Sequence, residues 1–179
     1  MQTLLGQKIK LRALEPEDLE FLFNTENNEA FWEVSHTQTP FSKFLLKQYL
    51  ENAHLDIFEA KQLRLIIEEI SSGKQIGMID VFDFNPQHKR AGIGVLIAEK
   101  EQQNGFASEA LELLINYCFK HLNLHQLFAN ITEDNAKSLA LFKKHNFTQI
   151  GIKKDWILSE GNYKNEILFQ LINKPFKKD

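Results

Sequence analysis

The chain has 179 residues, 43% of them hydrophobic and fifteen of them Phe, which predicts one domain whose core needs no staples. A single cysteine excludes an intramolecular disulfide framework, and at a net charge of −3 no basic stripe interleaved with aromatics marks a nucleic-acid binder. Gln7, Lys8, Lys10 and Arg12 interrupt any apolar start, and no apolar run approaches the roughly 20 residues of a membrane span. A cytoplasmic protein that binds neither membrane nor nucleic acid is the expectation.

Lys8 to Leu14 sets Ile9, Leu11 and Ala13 against Lys8, Lys10 and Arg12, the alternation of a half-buried strand. Glu15-Pro16-Glu17-Asp18 then starts a helix, with proline in the first turn and acids at the positive end of its dipole. Leu19, Leu22 and Phe23 form its apolar stripe. Asn24 to Pro40 reads as irregular, with Phe31 and Trp32 tucked against the core. Ser42 caps a second helix through about Ala53, expected to bury Phe44, Leu45, Tyr49 and Leu50. Strands are predicted over Leu63 to Ile70 and Gln75 to Phe84, joined by a hairpin turn at Ser71-Ser72-Gly73-Lys74. Asn85-Pro86-Gln87-His88 turns the chain into a third strand that ends near Glu99.

The stretch from Ile93 to Leu114 organises the rest. An apolar run (Ile93, Val95, Leu96, Ile97) leads through the turn Gln102-x-x-Gly105-x-Ala107 into a helix over Ala107 to His121. Leu111, Leu114, Ile115, Cys118 and Leu122 follow helical spacing, which makes Cys118 a core residue rather than a nucleophile. Small residues at Gly105 and Ala107 let a ligand approach where the first helical N–H groups have no partner. With the helix dipole, that is a site for a phosphate or pyrophosphate. The same turn serves tight helix packing in folds with no ligand, so by itself it leaves both readings open.

A strand follows over His125 to Thr132, then Glu133-Asp134-Asn135 and a helix from Ala136 to His145. Phe147 to Ile157 and Tyr163 to Ile172 make a closing hairpin around Ser159-Glu160-Gly161-Asn162, and Asn173 to Asp179 is expected to fray. Antiparallel hairpins mixed with two strand–helix crossovers predict an α/β class, a mixed central sheet flanked by helices in one domain over residues 1–179. Charge is uneven along it. Residues 15–59 hold ten acids against Lys43 and Lys47, while residues 137–179 hold nine Lys against four acids. Such asymmetry steers small charged ligands, or simply solvates two faces.

A second signature lies about 30 residues past the glycine turn: Asn135-Ala136-Lys137-Ser138-Leu139-Ala140-Leu141-Phe142-Lys143-Lys144-His145-Asn146-Phe147. Together the two blocks resemble the GNAT superfamily of acyl-CoA-dependent N-acetyltransferases, whose second block runs Asn-x-x-Ser-x-x-x-Tyr-x-Lys-x-Gly-Phe. The resemblance covers nearly the whole chain. Lys10-Leu11-Arg12-Ala13-Leu14-Glu15, Glu17-Asp18-Leu19, Asn27-Asn28, His88-Lys89-Arg90-Ala91 and Gly161-Asn162-Tyr163-Lys164-Asn165 are most similar to bacterial diamine (spermidine) N-acetyltransferases. Ribosomal-protein N-terminal acetyltransferases come close behind.

The resemblance implies acetyl-CoA as co-substrate, no metal, a small amine or a protein N-terminus as acceptor, and a possible homo-oligomer. It implies that Gln102, Asn104, Gly105, Phe106, Ala107 and Ser108 surround the diphosphate, that Leu96 and Ile97 pair with the pantetheine arm, and that Asn135, Ser138 and Phe142 reach the cofactor. Asn135 also suits a helix cap. Phe142 stands where the family often carries a thiolate-protonating Tyr, and it has no proton to give. Asn146 replaces the family Gly, a tolerable exchange because Asn visits left-handed backbone. Asp80 and Asp83 are the candidate proton acceptors for the amine, acting through a water if burial raises a pKa, or are simply solvated acids at a strand end. Gly92 stands where diamine acetyltransferases often place another acid. The two rival readings are an N-terminal acetyltransferase of a protein and a CoA-binding domain without transfer.

Overall fold

Seven strands assemble into one mixed sheet. A computed structural model describes residues 2–174. In chain order the elements are β1 (Ile9–Arg12), α1 (Leu19–Glu26), α2 (Trp32–Ser35), α3 (Lys43–Glu51), α4 (Ile57–Ala60), β2 (Leu63–Glu69), β3 (Gln75–Asn85), β4 (Arg90–Ile97), α5 (Phe106–Lys120), β5 (Gln126–Thr132), α6 (Ala136–Lys144), β6 (Thr148–Ser159) and β7 (Asn162–Ile172). The strand order is β1-β2-β3-β4-β5-β7-β6. Every neighbouring pair is antiparallel except β4 and β5, joined by the α5 crossover.

Helices cover both faces because the strands present apolar side chains on both. Leu65, Ile67, Ile79 and Val81 join Leu111, Leu114 and Cys118 of α5 in the main core. On the other face Ile66 and Met78 meet Leu22 of α1 and Leu46 of α3. Polar latches fix the helices to the sheet: Arg12 at the end of β1 donates two hydrogen bonds of 2.8 Å to the buried Asp18 ahead of α1.

Several boundaries differ from expectation for local reasons. Residues 24–40 are not irregular: α1 runs to Glu26, and a turn at Glu29–Phe31 leads into α2. Asn27 pins that segment, donating to the carbonyls of Phe23 and Phe41 and accepting from Phe41 N at 2.8 Å. Ser42 caps α3 by accepting from Leu45 N at 3.1 Å. The inward stripe of α3 is Leu46 and Leu50, four residues apart; Phe44, two residues before Leu46, is carried to the far side and is 72% exposed, and Leu45 is 49% exposed. The closing hairpin turns on two residues, Glu160 and Gly161, with φ of 49° and 79°, the left-handed pair of a type I′ turn. Asn173 does not fray, since its backbone N–H donates to His125 O at 2.8 Å, and residues 175–179 of the expected frayed tail lie outside the described residues. No helix among the described residues is long and apolar enough to cross a membrane.

Candidate active site

The site begins where the sheet opens. β4 pairs with β5 only through Arg90↔Gln126, Ala91↔Leu127 and Gly92↔Phe128, and beyond Gly92 the two strands part. A Cβ at Gly92 would come within 2.2 Å of the Phe82 ring. Phe82 in turn packs edge-to-face on Phe128 at 5.7 Å. Gly92 therefore makes room for the aromatic wedge at the fork, which is the physical reason no acid occupies that position.

Above the fork lies a cavity of about 480 Å³, lined among others by Val95, Leu96, Ile97, Gln102, Gly105, Phe106, Ala107, Ser108, Asn135 and Ser138. The N-terminus of α5 is aimed into it. Gly105 takes φ +82° to turn the chain into the helix, and the first intrahelical bond is Glu109 N to Gly105 O at 3.2 Å. The N–H groups of Phe106, Ala107 and Ser108 are thus left for a ligand, with the positive end of the dipole behind them. Gln102 braces the turn: its Nε2 donates to Ile97 O at 3.1 Å, and its Oε1 accepts from Lys137 Nζ at 3.0 Å. Asn104 is an exception among the expected residues. It lies outside the cavity wall, exposed, with Nδ2 donating to Glu101 O at 3.2 Å.

Two cations not foreseen individually stand at this end. Lys137 lines the cavity, and Lys144 Nζ donates to Ser108 Oγ at 3.0 Å. The same hydroxyl meets His145 Nε2 at 2.9 Å. Burial, and secondarily Lys144, holds the His145 imidazole below its ordinary pKa. The lysine excess in residues 137–179 was the only sequence signal for this positive lip. Ala30, Phe31 and Val34 close the cavity from the α1–α2 side, so Phe31 lines the site instead of filling the core.

A second, smaller cavity of about 50 Å³ occupies the fork itself. It shares Val34, Val95, Asn135 and Ser138 with the first, so the two spaces meet across a common wall. Asn135 caps α6, its Oδ1 accepting from Ser138 N at 3.1 Å, while facing both cavities. Phe142 lines the small cavity and not the large one; it is buried, edge-to-face with Phe147 at 5.0 Å. None of the three tyrosines lines either space.

Carboxylates collect around the small cavity. Glu33 accepts from Lys164 Nζ at 2.9 and 3.0 Å and from Ser159 Oγ. Ser159 and then Lys164 hold its carboxyl below the usual carboxylate range. Lys164 also pairs with Asp134 at 2.7 Å. Glu166 of β7, absent from the sequence-based candidates, lines the cavity and is almost fully buried.

Asp80 and Asp83 line neither cavity. Both Asp80 oxygens are held by Arg64, and Asp83 sits exposed in a β-bulge with φ 48°. Cys118 is wholly buried, and burial pushes its thiol up to about 12, which leaves no thiolate for attack.

A helix N-terminus with unpartnered N–H groups, an open strand edge and a fork flanked by carboxylates thus meet in one place. The family described as the acetyltransferase (GNAT) domain matches residues 8–148, and the chain belongs to that family. It is 28% identical to the spermidine N(1)-acetyltransferase of Escherichia coli strain K12 over 165 residues, which cover 90% of this chain and 84% of that protein. Its structure resembles the spermidine N-acetyltransferase of Vibrio cholerae in complex with CoA and spermine, with a TM-score of 0.85 and 24% identity over 93% of this chain and 96% of that one. A dodecameric structure of spermidine N-acetyltransferase from Vibrio cholerae in an intermediate state aligns at a TM-score of 0.79 and 26% identity, covering 93% and 95% of the two chains.

Proposed function

We propose that this acetyltransferase moves the acetyl group of acetyl-CoA to a primary amine of a polyamine such as spermidine, by direct attack within a ternary complex. The observation that carries the reading is the meeting of two spaces, a large one under the α5 N-terminus and a small, carboxylate-flanked one in the fork. The N–H groups of Phe106, Ala107 and Ser108, with Lys137 and Lys144 beside them, suit the CoA phosphates. The free edge of β4 at Leu96 and Ile97 suits the amides of the pantetheine arm.

Charge favours a cationic acceptor, although not through the acid-rich segment as a whole. Asp18 and Glu26 are paired with Arg12 and Arg64 inside the fold. The acids that face the fork are Glu33 and Glu166, with Asp134 nearby. Spermidine acetyltransferases among the relatives support the same acceptor class. No buried thiol is available for a covalent step, and Phe142 supplies no proton. Ser138 lines both cavities, which supports a role for it in relaying a proton from water to the departing thiolate.

Thiol release measured with spermidine, with alanine- and serine-starting peptides and with no acceptor, each at two salt concentrations, tests the reading. Spermidine turnover that weakens with salt is expected, since screening beyond about 8 Å at physiological ionic strength removes the long-range attraction. Faster, salt-independent turnover of the peptides would assign protein N-termini instead, and no release with any acceptor would leave a CoA-binding domain.

Assembly into a homo-oligomer belongs to the same proposal. Ile150, Ile152, Trp156 and Leu158 of the edge strand β6 are all exposed, an apolar row of the kind that self-association covers. The dodecameric relative supports it. Light scattering of the purified chain should give a mass well above 20.9 kDa, and Trp156→Lys should lower it. A cytoplasmic location fits the need for acetyl-CoA.

A further inference from the structure

We infer that Glu166 takes the proton that the acceptor's ammonium must lose for its nitrogen to attack, an assignment that rests on the N-acetyltransferase reading above. Glu166 is 3% exposed and faces the small cavity opposite Gly94 and Val95, where β4 leaves β5. Its two oxygens are not equivalent. Oε1 is held by Lys153 Nζ, which is itself steadied by a 3.0 Å hydrogen bond to Asn130 Oδ1. Oε2 accepts no hydrogen bond from the described residues and lies 3.8 Å from His36 Nε2. No fully buried side-chain N or O among the described residues lacks a partner, so Oε2 keeps some solvent access, and Glu166 lines the small cavity.

A buried carboxylate with one oxygen left without a hydrogen bond from the protein is costly unless something else uses it. Glu33, the other acid of the cavity, is different: Lys164 and Ser159 occupy both its oxygens. Glu33 contributes negative potential, and Glu166 is the acid with an open acceptor position.

The chemistry balances without a further reactant. The ammonium passes one proton to Glu166 Oε2, directly or through one water, and its freed lone pair attacks the thioester carbon. As the C–N bond forms, the nitrogen becomes strongly acidic, so its second proton is lost readily. The C–S bond breaks with its electron pair left on sulfur. The second proton of the nitrogen goes to that thiolate by way of water and Ser138, giving amide and thiol. Glu166 then returns its proton to solvent past His36, which is 60% exposed at the mouth.

Glu166→Gln keeps the shape and removes the proton acceptor. The expected result is a fall in kcat of about 10²-fold or more, with KM for the amine within about twofold. Acetyl-CoA affinity by calorimetry should stay near wild type, while loss of the Lys153 ion pair should lower the melting temperature. Glu166→Asp keeps a carboxylate but withdraws it, and should give a kcat between the two. A residue that only pairs with Lys153 would lower the melting temperature in the same way but leave kcat preserved in the folded fraction, so kcat is the readout that decides. Wild-type kcat in Glu166→Gln overturns the assignment while leaving the acetyltransferase intact. Should that variant fail to fold, Glu166→Asp decides: reduced kcat with unaltered acetyl-CoA affinity upholds the assignment, and wild-type kcat overturns it. A wild-type protein that acetylates no amine overturns the function and this role together.

Discussion

The Arg64 guanidinium grips Asp80 through two parallel hydrogen bonds of 2.8 Å, Nε to Oδ1 and Nη2 to Oδ2, and its remaining nitrogen reaches Glu26 at the end of α1. Burial opposes the charge on Arg64, but Asp80 and Glu26 more than offset it and raise the guanidinium's pKa. This latch joins β2, β3 and α1 beside the site, and it gives Asp80 a structural task in place of the chemical one its position on β3 first suggested.

Asp80→Asn should therefore lower stability and spare the reaction. A loss of about 1–2 kcal/mol is expected, less than for a fully buried pair because both side chains keep some contact with water. Urea unfolding measures the first effect and steady-state kinetics the second. A collapse of kcat with unaltered stability would restore Asp80 as the proton acceptor.

At Gly105 the backbone, not crowding, sets the outcome of substitution. A Cβ built there meets nothing within 4 Å, but φ is +82°. Any side chain in left-handed backbone costs roughly 1–2 kcal/mol, so the turn will relax and redirect the N–H groups of Phe106 and Ala107. Gly105→Val is expected to fold and to weaken acetyl-CoA by about tenfold or more. Unaltered affinity by calorimetry would remove the phosphates from the α5 N-terminus.

Phe142→Tyr adds a hydroxyl to a buried ring that already lines the fork. If protonation of the thiolate limits turnover, kcat should rise, up to about 10²-fold, the lower end of general acid catalysis. The cost is a polar atom near Phe147, so the melting temperature must be followed in parallel. An unaltered kcat in a folded variant means that water and Ser138 already supply that proton fast enough.

The sheet and the glycine turn were legible because their signals are local. Ile9 and Leu11 alternate within one strand, and Gly105 announces its own backbone. Glu166 was not legible. Within Asn165-Glu166-Ile167-Leu168-Phe169 it reads as one polar residue among apolar ones, and its importance comes from register. β7 sets it beside Thr132 on one side and Lys153 on the other, partners more than ten residues away in sequence. The acid-rich segment misled for the same reason: nothing in spacing tells that Asp18 meets Arg12 or that Glu26 meets Arg64.

Asp18 also sets a limit on acid tolerance. Burial pushes its carboxyl up, but hydrogen bonds from Arg12, Glu15 N and Gln75 outweigh that and hold it below the ordinary value of 3.8. A depressed folded pKa means that the charged form stabilises the fold. That contribution is complete above the ordinary value and drains away as pH falls through the lower folded one. Unfolding free energy should fall below about pH 4, and Asp18→Asn, though less stable at neutral pH, should show a flatter acid limb. An equally steep limb in the variant would place the acid sensitivity elsewhere.

The short parallel seam, three residue pairs from Arg90↔Gln126 to Gly92↔Phe128, divides the sheet into a four-stranded and a three-stranded half. Each half is joined by antiparallel ladders, so amide hydrogens of its central strands should exchange more slowly than those flanking the fork, which exchange through a local breathing motion. In the proposed complex the pantetheine arm lies along that gap and adds rungs to it. Acetyl-CoA then acts as a suture between two rafts of strands, and the melting temperature becomes a gauge of how far the cellular acetyl-CoA pool has filled the protein.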